Sequence, residues 1–97
     1  MGTTDRTVEP TSQFRRDWKR ETKGRHRATL RSDFGAILAL LRADVALAAR
    51  FQDHQLGSKW QDCRDCHLRP DLVLIYSKPD DKILRLIRLG SHAELSL

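Results

Sequence analysis

The segment Leu72-Val73-Leu74-Ile75-Tyr76 is an unbroken apolar run of strand length. Alternate residues of a strand point to opposite faces, so a run with no polar residue on either parity predicts a strand covered on both sides. Turn chemistry follows at Lys78-Pro79-Asp80-Asp81-Lys82, and then a second strand is expected over Ile83–Leu89. Arg85 and Arg88 lie three apart in that strand and are expected on opposite faces. Gln61–Leu68 reads as a weaker strand, joined to the central one through Arg69-Pro70. Three successive strands with short links predict an antiparallel meander.

A sheet buried on both faces needs layers to cover it, and the N-terminal half supplies helices. Arg6–Pro10 has the length of a short strand, with Pro10 suited to an edge or an end. Thr11 or Ser12 can cap a helix in which Phe14 and Trp18 share a face, and Gly24 is the expected stop, in a left-handed conformation. In the next helix Leu30, Phe34, Ile37, Leu38, Leu41 and Val45 follow the spacing of a buried stripe. An alanine-rich continuation extends that helix nearly to Arg50, weakened at Gly35 unless the glycine permits close packing. The expected fold is a single α+β domain over residues 1–97: an N-terminal strand, a two-helix hairpin and a three-strand meander in one sheet, with the helices on one face.

Charge narrows the partners. The chain of 97 residues has a net charge of +5. Between Ser12 and Arg31 eight basic residues face only Asp17 and Glu21, so this stretch alone exceeds the net charge of the whole. Arg16, Lys19, Arg20, Lys23, Arg27 and Arg31 lie in it and form a candidate surface for tracking phosphates. No apolar stretch reaches the ~20 residues of a membrane span, which argues against a membrane partner. Met1–Pro10 has no apolar segment of signal-peptide type, so a cytoplasmic location is expected.

Cys63-Arg64-Asp65-Cys66-His67 matches the C-x-x-C-H pattern of covalent haem attachment. The same cysteines also fit a disulfide, a redox pair or half of a zinc site, and one cysteine with His54, His67 and His92 is a further zinc option. In an extended segment Cys63 and Cys66 have opposite parity, which disfavours bridging or shared ligation. Two reduced cysteines in a strand are expected, with no metal and no cofactor.

Three of the four histidines follow residue 53. His67 ends one expected strand, Asp71 begins the next, and His92 leaves the last, so all three can converge at one sheet edge. Imidazole, with an ordinary pKa of ~6.5, can take or give a proton near neutral pH, which makes these residues candidates for acid–base work.

The order Asp53-His54-x-Leu56…Trp60…Arg64-Asp65-x-His67…Pro70-Asp71…Leu74-Ile75-Tyr76…Arg88…Gly90-Ser91-His92 resembles the YafQ-like toxins of bacterial type II toxin–antitoxin systems, in the RelE/ParE superfamily. The resemblance implies a RelE-like fold and a ribosome-dependent mRNA endonuclease that cuts in the A site of the 70S ribosome and is neutralised by a cognate antitoxin. It places His54, His67, Asp71 and His92 in the site. RNA cleavage without a metal uses the substrate 2′-OH as nucleophile, a base to take its proton and an acid to protonate the leaving 5′-oxygen. His92 is the expected acid and Asp71 or His54 the base. Arg64 and Arg88 are candidates for holding phosphate, with Arg85 and Lys59 as further RNA contacts.

The chain also departs from that pattern. Leu72 and Ser96 stand where the family commonly has aromatics that could stack on message bases, Gln55 where Pro is usual, and Asp62 where Gly is frequent. A weakened toxin acting mainly as an antitoxin- or RNA-binding module is one alternative, and a gyrase-directed toxin of the ParE branch is another. Because the basic stretch lies in the helical hairpin and the histidines in the C-terminal half, docking charge and chemistry are expected on separate surfaces.

Overall fold

The computed structural model describes residues 5–97, so the reading of Met1–Thr4 lies outside it. Five strands form one sheet: β1 Thr7–Pro10, β2 His54–Gln55, β3 Arg64–Arg69, β4 Leu72–Ser77 and β5 Ile83–Gly90. Their order is β1-β5-β4-β3-β2, antiparallel except for the parallel β1–β5 pair. Helices α1 Ser12–Glu21 and α2 Leu30–Arg42 lie between β1 and β2 in the chain, and a one-turn helix α3, His92–Leu95, follows β5.

The apolar run sits in the middle of the sheet as its pattern requires. Leu72, Leu74 and Tyr76 pack with Phe14, Leu30, Ile37 and Leu41 beneath the helices. Val73 and Ile75 face the other way, against Leu95, Trp60 and Ile87. Burying each of these large apolar side chains contributes about 1.5–3 kcal/mol. Phe14, Trp18 and Phe34 meet as an aromatic cluster, with Trp18 and Phe34 centroids 4.9 Å apart.

Several elements differ from the sequence reading. Helix α2 stops at Arg42 rather than near Arg50, despite the alanines beyond it. Asp44 adopts a left-handed conformation (φ 58°), and the N–H groups of Asp44 and Val45 donate back to the Leu41 and Leu40 carbonyls. That is a Schellman stop with aspartate in the usual glycine position. Arg6 and Lys78 both reach the Asp44 carboxylate at 2.7 Å and hold it there. Val45, expected on the buried stripe, is therefore exposed. Helix α1 ends at Glu21 and is followed by successive turns, so Gly24 is not left-handed. The weak strand starts at Arg64, not Gln61, because Asp62 turns through a left-handed conformation (φ 68°). An aspartate tolerates that conformation, which accounts for its standing where glycine is frequent.

A bulge in β5 also changes a facing. Arg85 lies opposite Ser77 and Arg88 opposite Ile75, two residues apart on β4. The extra residue between them returns both arginines to one face, not to opposite ones.

β1 covers the edge of β5 only as far as Leu86. Beyond it, side chains of α1 take over the pairing: the Leu89 N–H donates to Asp17 Oδ2 at 2.9 Å, and Arg20 Nη2 donates to the Leu89 carbonyl at 2.7 Å. Gly90 leaves room for this contact, since a Cβ there would come within 2.7 Å of Arg20 Nη2 and 3.1 Å of Glu94 Oε1 and push these side-chain ends aside.

Candidate active site

β2 and β3 set the first half of the site. In their antiparallel register His54 lies directly opposite Asp65. His54 Nδ1 accordingly lies 2.9 Å from Asp65 Oδ1 and 2.8 Å from the Gln52 carbonyl oxygen. The Nδ1 hydrogen bond goes to the Gln52 carbonyl, so Nε2 is left as the lone-pair nitrogen of the ring, and the buried Asp65 Oδ1 lies close to Nδ1 without a hydrogen-bond partner. Asp65 is buried, and burial pushes its carboxyl pKa up, against the opposing pull of His54, His67 and His92. The preceding Asp53 is anchored by Tyr76, whose hydroxyl donates to Oδ1 at 2.6 Å, and by Arg64 Nε at 3.1 Å.

The second half comes from the β3–β4 turn and the start of α3. His92 Nδ1 lies 2.7 Å from Asp71 Oδ1, and the His92 backbone N–H donates to the same oxygen at 3.0 Å. These two bonds, the backbone one foremost, hold the Asp71 carboxyl below the usual range. Helix α3 fixes His92 through a capping box, with Ser91 Oγ accepting from the Glu94 N–H and Glu94 Oε1 from the Ser91 N–H. His67 shares the Asp65 face of β3 and joins the halves, its ring edge-on to His92 with centroids 5.1 Å apart. His54, His67 and His92 are thus gathered around Asp65, and Asp71 joins them through His92.

One site residue escaped the sequence reading. The loop after α1 brings Arg25 Nη2 to 3.4 Å from Asp71 Oδ2, with His26 beside it. Arg25 belongs to the basic stretch expected on a separate surface, so charge and chemistry meet at this loop. Its position among successive turns left no periodic signal to follow.

Most of the arginines expected on RNA are engaged internally. Arg88 reaches buried Asp17 at 2.7 Å and Arg20 the same carboxylate at 3.0 Å, with Arg20 also near Glu21 and Glu94. Arg85 pairs with Glu9, and Arg64 with Asp53. These guanidiniums hold elements of the fold together. Arg31 and Lys59 lie over the rings of Trp18 and Trp60, while Arg16, Lys19, Lys23 and Arg27 are exposed on α1 and its loop.

Cys66 belongs to the cluster beneath the helices and Cys63 packs against the opposite one, as their parity requires, and both are free thiols. Burial pushes the Cys66 thiol up to about 12, far from thiolate reactivity at neutral pH. Among the described residues no three His, Cys, Asp or Glu side chains form a metal-ligand set. No helix among them is long and apolar enough to cross a membrane. Leu72 is 1% exposed and belongs to the core, so it offers no surface to a substrate.

Several solved structures of this α+β architecture are small bacterial toxins. YafQ from Escherichia coli superposes with a TM-score of 0.81 at 36% identity, covering 93% of this chain and 97% of that one. A metal-bound toxin from Helicobacter pylori superposes at 0.76 and 34% identity, covering 92% and 97%. The chain belongs to the YafQ family, bacterial toxins of type II toxin–antitoxin systems, whose model matches residues 6–97. Among its relatives, the mRNA interferase toxin YafQ of E. coli is 40% identical over 90 residues, 93% of this chain and 95% of the relative. A crystal structure of the E. coli DinJ-YafQ complex superposes with a TM-score of 0.79 at 37% identity, covering 93% of this chain and 97% of that one.

Proposed function

We propose that this toxin is an endoribonuclease that cuts mRNA on the ribosome by acid–base catalysis and is silenced by a cognate antitoxin. The observation that carries the reading is the pair of carboxylate–histidine contacts, Asp65–His54 and Asp71–His92, converging on His67. In-line attack by a 2′-OH needs a base and an acid on opposite sides of one phosphate, and two separately oriented imidazoles supply both. His54 Nε2 takes the 2′-OH proton, and His92 protonates the leaving 5′-oxygen. Asp71 already accepts two hydrogen bonds from His92, which makes it an orienting group and leaves the base role to His54. His67, edge-on to His92, and Arg25, beside Asp71, are placed to stabilise the charge that builds on the phosphorane.

The E. coli relatives named mRNA interferase toxins, and the DinJ-YafQ complex, support RNA as substrate and an antitoxin as partner. Exposed Arg16, Lys19, Lys23, Arg27 and Arg31 form the docking surface for ribosomal RNA, with an affinity that falls steeply with salt. The chemistry routes no step through a metal, so cleavage persists in EDTA at magnesium levels that keep ribosomes intact. Induction in bacteria followed by mapping of 5′ ends on translated messages tests the reading. New ends confined to translated regions support it, and growth arrest without cuts refutes it.

A further inference from the structure

Beside His67 the surface opens into a groove of about 620 Å³ between α2 and the β3 end of the sheet. Its volume falls in the range of sites that enclose a small organic ligand. Arg50, Phe51, Gln52 and Arg69 line it together with His67, and no side chain of the first four is used by the mechanism. The Arg50 guanidinium lies over the Phe51 ring at 4.7 Å, and the ring itself packs against the core beneath the helices. Arg69 is held in a two-point contact with Asp33, Nε at 2.7 Å and Nη2 at 3.3 Å. Gln52 adopts a left-handed conformation (φ 49°), and its carbonyl is the one that faces His54 Nδ1. The wall of the groove and the histidine proposed as base are therefore two residues apart in the chain and joined by that contact.

We infer that this groove is a nucleotide subsite, holding the base of the nucleotide next to the scissile phosphate. The inference rests on the proposed RNA cleavage and adds to it a specificity determinant. A single-stranded base is recognised by stacking on aromatic rings or guanidinium planes and by hydrogen bonds to its edge. Arg50 on Phe51 supplies the stacking plane and the Gln52 amide both a donor and an acceptor, while the charge of Arg69 is matched by Asp33. His67 borders the groove while its ring meets His92 on the opposite face of β3, so a strand of RNA that places a base in the groove must pass over the β3 edge to bring its phosphate to the cluster.

Two measurements test this. In the first, the intact ¹⁵N-labelled protein is titrated with four trinucleotide RNAs carrying a 2′-deoxy sugar at the expected cut. Shifts at Arg50, Phe51, Gln52 and Arg69, with binding weakened about tenfold by Arg50→Ala, are expected from the usual worth of one stacked base. Shifts confined to other residues, or none at millimolar trinucleotide, overturn the subsite. In the second, cut sites on translated messages are mapped for wild type, Arg50→Ala, Gln52→Ala and the milder core variant Phe51→Leu. A base preference beside the cut that flattens in the first two variants supports the subsite. A preference and rate unchanged in both overturn it while leaving the nuclease reading intact. Groove shifts without any cutting by the wild type would retain the subsite and refute the nuclease.

Discussion

His92 and Asp71 are joined twice: the ring Nδ1 and the backbone N–H of His92 both meet Asp71 Oδ1, at 2.7 and 3.0 Å. The double contact fixes the imidazole in both tautomer and direction, because the carboxylate holds the residue by its backbone as well as by its ring. The β3–β4 turn and the first turn of α3 therefore act as one unit.

Asp71→Asn keeps the shape of that contact but removes the carboxylate charge and allows the wrong ring tautomer. Cleavage should fall by about two orders of magnitude, the scale of one positioned acid. The circular dichroism spectrum should not change. Cleavage within twofold of wild type would show that the dyad has no part in the chemistry.

Asp65→Asn should separate stability from activity. The folded-state pKa of Asp65 is raised by burial, so its ionisation opposes folding at pH values above that pKa, and the penalty is absent below the unfolded value near 3.8. The variant should melt at a higher temperature than wild type at pH 7, with the difference closing as pH falls below 4. Its cleavage should be lower, because His54 loses its charged partner. Thermal melts across that pH range check the first part and cut-site yields the second.

Removing Asp17 should be among the most damaging single changes to the fold. Its carboxylate, 3% exposed as a residue, accepts from Arg88, Arg20 and the Leu89 N–H. Asp17→Ala strands the Arg88 guanidinium and an edge amide, while Arg20 keeps Glu21, Glu94 and the Leu89 carbonyl, a loss of about 3 kcal/mol. That is the low end for a broken buried pair, because Arg20 and Arg88 keep some contact with water. Urea denaturation measures it.

Gly35→Ala is expected to stabilise. Nothing lies within 4 Å of a Cβ built at Gly35, so this mid-helix glycine has no packing role. Alanine should add about 1 kcal/mol, or roughly 4–8 °C in Tm, with cleavage unchanged. An unchanged or lower Tm would point to a contact made by the glycine backbone itself.

Strand β4, both main helices and the order of the meander were legible in the sequence because their burial patterns are local and periodic. The end of α2 was not, since the left-handed Asp44 is stabilised by Arg6 and Lys78, which are distant in sequence. Helix α3 was missed although its signal, Ser91 three residues before Glu94, stands in the sequence, because four residues carry no periodicity. The histidines were found by their unusual strings, and the fold does bring them together. Arg25 was counted only as charge, and Arg20 and Arg88 were read as phosphate ligands. Which carboxylate an arginine meets depends on tertiary contacts such as the α1 cover over the edge of β5. Leu72 was read two ways: the apolar run predicted its burial, which the structure bears out, while the family pattern set its position among those that stack on message bases.

The most direct test of the central claim compares wild type with His92→Gln after induction, with 5′ ends mapped on messages that are translated and on the same messages with their start codons removed. The account predicts cuts by wild type on translated messages alone, and a loss of about a hundredfold or more in His92→Gln. Full cutting by His92→Gln would contradict the assignment of the acid, and no cutting by wild type would contradict the enzyme.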